Sequence, residues 1–269
     1  MIEQILVFIF GSIIGSFLNV CIHRLPLEES IVKPGSHCCC CNKQIPWYDN
    51  IPFLSYLFLG GRCRFCKKKI SSRYFLVELL TAIMFLVFFR LYGLSYSFFS
   101  YVIFTAGLII ATFVDIKHRI IPDEISLGGI VVGVIVNLVR PYIEHGSYDL
   151  LPVWDSLLGV VIGGGIIYLT GFFFDLVYFK ILKRPPIQGE TESMGGGDVK
   201  LLAMIGAFLG WKRALLTFFI APFLGVFIGI LNLITKKDHT IPYGPFLSLG
   251  ALISLFWMDK VISLIFFMK

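Results

Sequence analysis

Two aspartates and two pairs of cysteines carry most of the chemistry this sequence offers. Asp198 stands in MGGGDVKL (194–201), where three glycines run into a carboxylate ahead of an apolar segment. Asp115 stands in ATFVDIKHRIIPD (111–123), where another apolar segment ends. Ionisable groups in or at the edge of a membrane span are costly, so each is a functional candidate by default. Both aspartates are expected on the same side of a bilayer, at similar depth. Two carboxylates a few Å apart cannot both ionise easily, so one keeps a proton while the other acts as base. Such a pair can activate water against an amide carbonyl and protonate the leaving amine. The alternatives are a plain N-cap for Asp198 and a solvated helix end for Asp115. Asp123 reads as the N-cap of the next span, and Asp175 as a residue near a helix end or facing a neighbouring helix.

The glycines suit that chemistry. Without a Cβ they permit positive φ and let a substrate strand approach the backbone closely. Their N–H groups also open a helix, where the dipole favours a carboxylate or a developing oxyanion. Gly195, Gly196, Gly197 and Lys200 are therefore the candidate substrate contacts. Lys200 alternatively pairs with a carboxylate or snorkels to the membrane surface.

Cys38 with Cys41 and Cys63 with Cys66 form two C-x2-C turns separated by 21 residues. Each such turn presents two thiolates on one face of a tetrahedral site, and two turns complete it. A structural zinc is the leading reading. Two disulfides are the alternative, disfavoured if the loop lies in a reducing cytosol. Cys39 and Cys40 are left over and could compete as ligands, while Cys21 reads as buried packing. A loop of some fifty residues has little core of its own, so metal would contribute directly to its folding. The basic cluster Arg62, Arg64, Lys67, Lys68, Lys69 and Arg73 reads as an anchor to anionic headgroups, with an anionic ligand or partner as the alternative.

The elements that must position these groups are membrane helices. The chain of 269 residues is 57% hydrophobic and only 15% charged, with a mean hydropathy of +0.85. That excludes a water-soluble single domain. Apolar windows fall at 2–22, 75–92, 96–114, 125–139, 155–179, 199–210, 214–234 and 244–267. A crossing takes about 20 helical residues, so the window at 199–210 must be shielded by protein, form a half-helix or extend into its flanks. Backbone groups in lipid must bond internally. The expected fold is an all-α integral membrane protein: a polytopic bundle of about eight transmembrane helices with a small zinc-binding cytoplasmic loop domain. The expected division is a first transmembrane helix at 1–22, the loop domain at 23–74 and a membrane-embedded domain at 75–269. The first span lacks a basic n-region, because Glu3 is its only charge before His23, so it reads as a membrane helix and not a cleaved signal. Seventeen of the 23 Lys and Arg fall on one side of an eight-span topology. That side is expected to be cytoplasmic, with the N-terminus outside. The net charge of +6 then follows from topology and does not argue for a nucleic-acid partner.

Taken in order, these motifs resemble the bacterial type IV prepilin peptidases of the GxGD aspartyl protease class. The likeness runs through GSFLNVCIHRLP (15–26), the cysteine loop with WYDNIPFLSYL (47–57), GRCRFCK (61–67) and RYFLVELL (73–80). It continues through Asp115 to Asp123, GGGDVKL (195–201) and IPYGPF (241–246). The resemblance implies that Asp115 and Asp198 are the catalytic aspartates. It also implies that the substrates are prepilins and pseudopilins, cut at the cytoplasmic face of the bacterial cell membrane. It implies S-adenosylmethionine as methyl donor for the new N-terminal residue, with Asn19 and Glu78 as candidates for that second site. Two departures stand out: Gly196 replaces a usually larger apolar residue, and the CCCC run (38–41) replaces Cys-Pro-x-Cys. The competing readings are a peptidase without methylation, a proton-coupled membrane transporter, and a zinc-loop anchor without catalysis. A transporter would show inverted repeats with matching broken helices, and the sequence has no second glycine-rich break of this kind.

Overall fold

The computed structural model of the chain describes residues 1–146, 149–182, 195–235 and 242–266. The loop segments at 183–194 and 236–241, which supplied part of the charge asymmetry, lie outside the described residues. The described residues are helical, with no strand beyond two isolated bridges, His37 to Gln44 and Arg62 to Lys69. The helices are α1 (Ile2–Arg24), α2 (Leu54–Phe58), α3 (Ser72–Tyr92), α4 (Tyr96–His118), α5 (Asp123–His145), α6 (Leu151–Asp175), α7 (Gly196–Leu209), α8 (Trp211–Thr235) and α9 (Gly244–Phe266). Among the described residues, five helical stretches are long and apolar enough to cross a membrane. Helices α8 and α9, of 25 and 23 residues, also reach crossing length. Large apolar side chains such as Phe10, Val161, Phe173 and Phe223 stand exposed, which suits a surface bathed in hydrocarbon. The chain is an all-helical, multi-pass membrane protein.

It divides into two compact units, Met1–Val114 and Asp115–Lys269. In the first, α1 packs antiparallel on α3. Gly11 meets Ala82 and Phe85, and Gly15 meets Glu78 and Thr81. A Cβ on Gly15 would lie 2.7 Å from the Glu78 Cα, so the small-x3-small spacing lets the two backbones approach closely. Ser71 caps α3 by accepting the Arg73 N–H at 3.3 Å. Between α1 and α3 runs the cysteine loop. Buried Arg24 ties its start by donating to the carbonyls of Ser30 at 2.8 Å and Pro34 at 2.7 Å.

In the second unit, α7 is the central element. It has 14 residues, and Leu201 to Leu209 are all buried against α5, α6, α8 and α9. At about 1.5 Å per residue it is too short to cross, and of the sequence alternatives it is the one shielded by protein. Its contact with α6 is backbone on backbone. Gly159 faces Gly206, and a Cβ on Gly163 would lie 2.5 Å from the Leu202 carbonyl oxygen. Asn137 of α5 donates to the Ala207 carbonyl at 2.9 Å, and Ser156 of α6 donates to the same oxygen at 2.7 Å. Gly210 ends α7 at a φ of +80°, with Asp155 where a Cβ would stand.

Candidate functional site

The second unit brings Asp115 and Asp198 together. Asp115 lies in the last turn of α4 and is 6% exposed. Its Oδ2 accepts the backbone N–H of Gly244 at 2.8 Å, which pins the carboxylate rotamer. Its charge acts on Asp198, Asp198 acts in turn on Tyr243, and Arg119, just past the end of α4, acts on Asp115. Asp198 occupies the third position of α7, and Gly195 is the cap residue. Plain capping is therefore not its place, although its N–H bonds the Gly195 carbonyl at 3.1 Å. The Pro242–Gly244 segment was legible only as part of a family motif. Its role comes from a main-chain N–H, which no side-chain pattern reveals.

The glycines act differently from the expectation of positive φ. None of Gly195, Gly196 and Gly197 has a left-handed backbone, and Gly195 sits at φ −67° and ψ 133°. What matters is space. A Cβ on Gly195 would lie 3.4 Å from Asp198 Oδ2, and one on Gly197 would lie 3.2 Å from the Ile121 Cβ. Beside Gly196 nothing lies within 4 Å, leaving its backbone open to a ligand. Asp123 is not the N-cap of α5. Pro122 holds that position, because its extended backbone suits the entry, and Asp123 is the first helical residue. There it binds Lys200, whose Nζ donates to both carboxylate oxygens at 2.7 and 2.9 Å. Lys200 thus takes the carboxylate pairing that was one of the alternatives its sequence allowed. Asp175 closes α6 ahead of a π-helical turn, Leu176–Ile181.

In the first unit, the four expected cysteine sulfurs converge. Cys38, Cys41, Cys63 and Cys66 place every Sγ within 4.8 Å of the others, and Cys38 stands 3.8 Å from Cys66. A tetrahedron with Zn–S bonds of about 2.3 Å has edges of about 3.8 Å, so the donor set fits zinc. The two turns are near copies. Cys38 N–H bonds the Lys43 carbonyl at 3.0 Å, and Cys63 N–H bonds that of Lys68 at 2.9 Å. Asn42 and Lys67, at φ 54° and 58°, close them. Backbone N–H groups of Cys41 and Cys40 pull the Cys38 thiol down to about 6. The Lys68 N–H pulls Cys66 down, but burial and hydrogen bonds to its three thiol neighbours outweigh this and push it up to about 12. Four thiols in one cluster cannot ionise independently. Cys39 turns its sulfur to His23 Nε2 at 3.7 Å, and Cys21 is buried. Asp49 holds Arg64 by two hydrogen bonds, one of 2.6 Å, that bridge the loop's two halves.

Asn19 and Glu78 line one cavity between α1, the cysteine loop and α3. Asn19 Nδ2 donates to the Tyr74 carbonyl at 3.0 Å, and Glu78 Oε2 accepts the Phe53 N–H at 3.1 Å.

A buried Asp115 and a half-buried Asp198 whose charges interact, in a helical membrane protein, suit the chemistry of the membrane aspartyl peptidases as a class, and comparison with known proteins gives the family. The family model described as "Type IV leader peptidase family" matches residues 102–230, and "Bacterial Peptidase A24 N-terminal domain" matches residues 9–92. A prepilin leader peptidase/N-methyltransferase of Aeromonas hydrophila is 32% identical, over 95% of this chain and 91% of its own length. The proteins of that name from Pseudomonas aeruginosa and Neisseria gonorrhoeae are each 33% identical, over 94% of this chain and 90% of their own lengths. The chain belongs to the type IV leader peptidase family. No solved structure matches it with significance.

Proposed function

We propose that this chain is an aspartic endopeptidase that removes the short basic leader from prepilins and pseudopilins, and then N-methylates the new terminal residue from S-adenosylmethionine. The observation that carries the reading is the pair Asp115 and Asp198, electrostatically coupled, with Asp115 fixed by the Gly244 N–H. The names of the relatives support both activities.

One carboxylate takes a proton from water as the oxygen attacks the scissile carbonyl. The other gives a proton to the departing amide nitrogen. The scissile segment lies extended against the open backbone at Gly196, between Gly195 and Gly197, because an amide locked in a helix is poorly exposed. Lys200, held by Asp123 at the same end of α7, offers a cation to the strand. The cut is made at the cytoplasmic membrane face, with the cysteine loop in the cytosol and the N-terminus outside, as the distribution of Lys and Arg supports. Zinc held by Cys38, Cys41, Cys63 and Cys66 supplies shape to the loop and takes no part in cleavage. Asn19 and Glu78 serve methyl transfer.

The test is cleavage of a membrane-embedded prepilin by wild type, Asp115→Asn and Asp198→Asn, with product masses read in the presence of S-adenosylmethionine. Each variant is expected to lose cleavage by about a hundred- to ten-thousand-fold, and the wild-type product to gain one methyl mass. Normal cleavage by either well-folded variant overturns the mechanism.

A further inference from the structure

The cavity between α1, the cysteine loop and α3 has a polar wall whose hydrogen bonding is incomplete. It encloses about 380 Å³, within the range of small-ligand sites. Asn19 and Glu78 supply that wall and are 2% and 8% exposed. Asn19 spends its amide on the Tyr74 and Gly15 carbonyls, and its buried Oδ1 has no partner. Glu78 accepts the Phe53 N–H and a hydrogen bond from Ser16. No Lys, Arg or His among the described residues forms an ion pair with it. Arg24 and Arg64 also line the cavity, but they are engaged by loop carbonyls and by Asp49. Lys68 and Lys69 enter it from the cysteine loop, not from α1 or α3.

The two acceptors sit on neighbouring turns of the α1–α3 seam, because Asn19 reaches the carbonyl of Tyr74, one turn before Glu78. A strained backbone serves them. Phe53 adopts φ 61° and ψ −55°, with the Leu54 N–H bonded to the Pro52 carbonyl at 2.7 Å. That is a tight three-residue turn few side chains tolerate, and strain of this kind gathers at functional sites. A buried carboxylate without a cation and a buried carbonyl without a donor are both costly. One ligand group relieves both: a cation that carries N–H donors. An ammonium has three such donors, whereas a sulfonium is cationic and has none.

We propose that Glu78 and Asn19 seat a protein α-ammonium, that of the residue left N-terminal once a leader is removed. This rests on the methyl-transfer reading above and assigns its acceptor subsite. Asn19 Oδ1 and Glu78 receive two of the ammonium's N–H bonds. Glu78 then takes one proton, leaving an amine with a free lone pair. The lone pair forms the new N–C bond to the methyl carbon of a sulfonium donor. The S–C bond breaks with its electron pair left on sulfur as a thioether, and the product is a secondary ammonium.

The test uses the full chain in lipid nanodiscs and a synthetic apolar peptide beginning with Phe, either with a free amine or N-acetylated. The free-amine peptide is expected to bind about 10- to 100-fold more tightly than the acetylated one. Glu78→Gln is expected to raise the KM for the free peptide by a similar factor while the Kd for S-adenosylmethionine stays within about twofold. Equal binding of the two peptides by wild type overturns the proposal, and this arm needs no variant to fold. Weaker binding of the donor with an unchanged peptide KM also overturns it, since the sulfonium is then the cation seated there. A wild type that discriminates between the peptides yet methylates neither supports the seat and refutes the methyl-transfer reading. Methylation with an unchanged KM in Glu78→Gln refutes the seat and leaves that reading standing.

Discussion

Replacing Gly163 with Ala tests whether the α6–α7 seam sets the position of Asp198. The added Cβ would lie 2.5 Å from the Leu202 carbonyl oxygen and 3.1 Å from its carbonyl carbon. Carbon–oxygen contacts begin at about 3.3 Å, so the helices must part by about 0.8 Å. Backbone cannot rotate out of the way as a side chain can, and Leu202 is one helical turn from Asp198. Overpacking of this kind costs about 1–3 kcal/mol, and a misplacement of about 1 Å lowers catalysis about a hundredfold. Purified Gly163→Ala enzyme should therefore melt earlier and cleave a prepilin at about one-thirtieth to one-hundredth of the wild-type kcat. The control is Gly165→Ala on the same helix, where nothing lies within 4 Å of the added carbon. It should retain both activity and melting temperature. Wild-type cleavage by Gly163→Ala, or an equal loss in Gly165→Ala, refutes the seam as the positioning device.

Other perturbations give separate readings. Gly244→Ala puts a carbon 2.8 Å from Asp115 Oδ2, so cleavage should fall at least about tenfold with substrate KM little changed; an unchanged kcat argues against the Gly244 contact. Native mass spectrometry should find one zinc per chain, lost in Cys63→Ser and retained in Cys39→Ser and Cys40→Ser; retention in Cys63→Ser moves the ligand set. The Lys200–Asp123 pair is exposed, at 38% and 56% of its side chains, so a double-mutant cycle should give a stability coupling below about 1 kcal/mol, and a larger one means the pair is structural. Arg64 holds the Asp49 carboxyl below the usual carboxylate range. The folded pKa is depressed, so its contribution is present above the ordinary Asp value and is lost as pH falls through the folded one. Loop protection in hydrogen exchange should weaken below about pH 4 in wild type, and Asp49→Asn should flatten that dependence.

The sequence showed most clearly what side chains do by type and spacing. The convergence of the four cysteines was legible because each C-x2-C turn presents two thiols on one face, and the apolar windows because a bilayer demands their length. The place of α7 was harder to read. Its twelve-residue window allowed three answers, and the choice was made by Gly159, Gly163, Asn137 and Ser156, which lie far from it in sequence. The ion pair of Lys200 with Asp123 spans 77 positions and leaves no local signature. The glycines before Asp198 were read for dihedral freedom and for close approach to the backbone, and of the two the fold shows the space left by the missing Cβ and no positive φ.

What stayed hidden has a common physical form. In each unit a carboxylate buried on an apolar helix is met by a main-chain N–H from a segment that follows a proline. Glu78 receives the Phe53 N–H at 3.1 Å, after Pro52, and Asp115 receives the Gly244 N–H at 2.8 Å, after Pro242. In both cases the donor stands at or beside the start of a helix, α2 or α9, where backbone N–H groups lack intrahelical partners. Such a donor adds no charge of its own, holds the carboxylate in one rotamer and leaves its other oxygen for a ligand or water. A lysine or arginine in the same place would neutralise the carboxylate and occupy the space a substrate needs. A backbone donor therefore keeps each acid fixed but unneutralised, and residue types alone cannot announce it, because every amino acid except proline carries the same N–H.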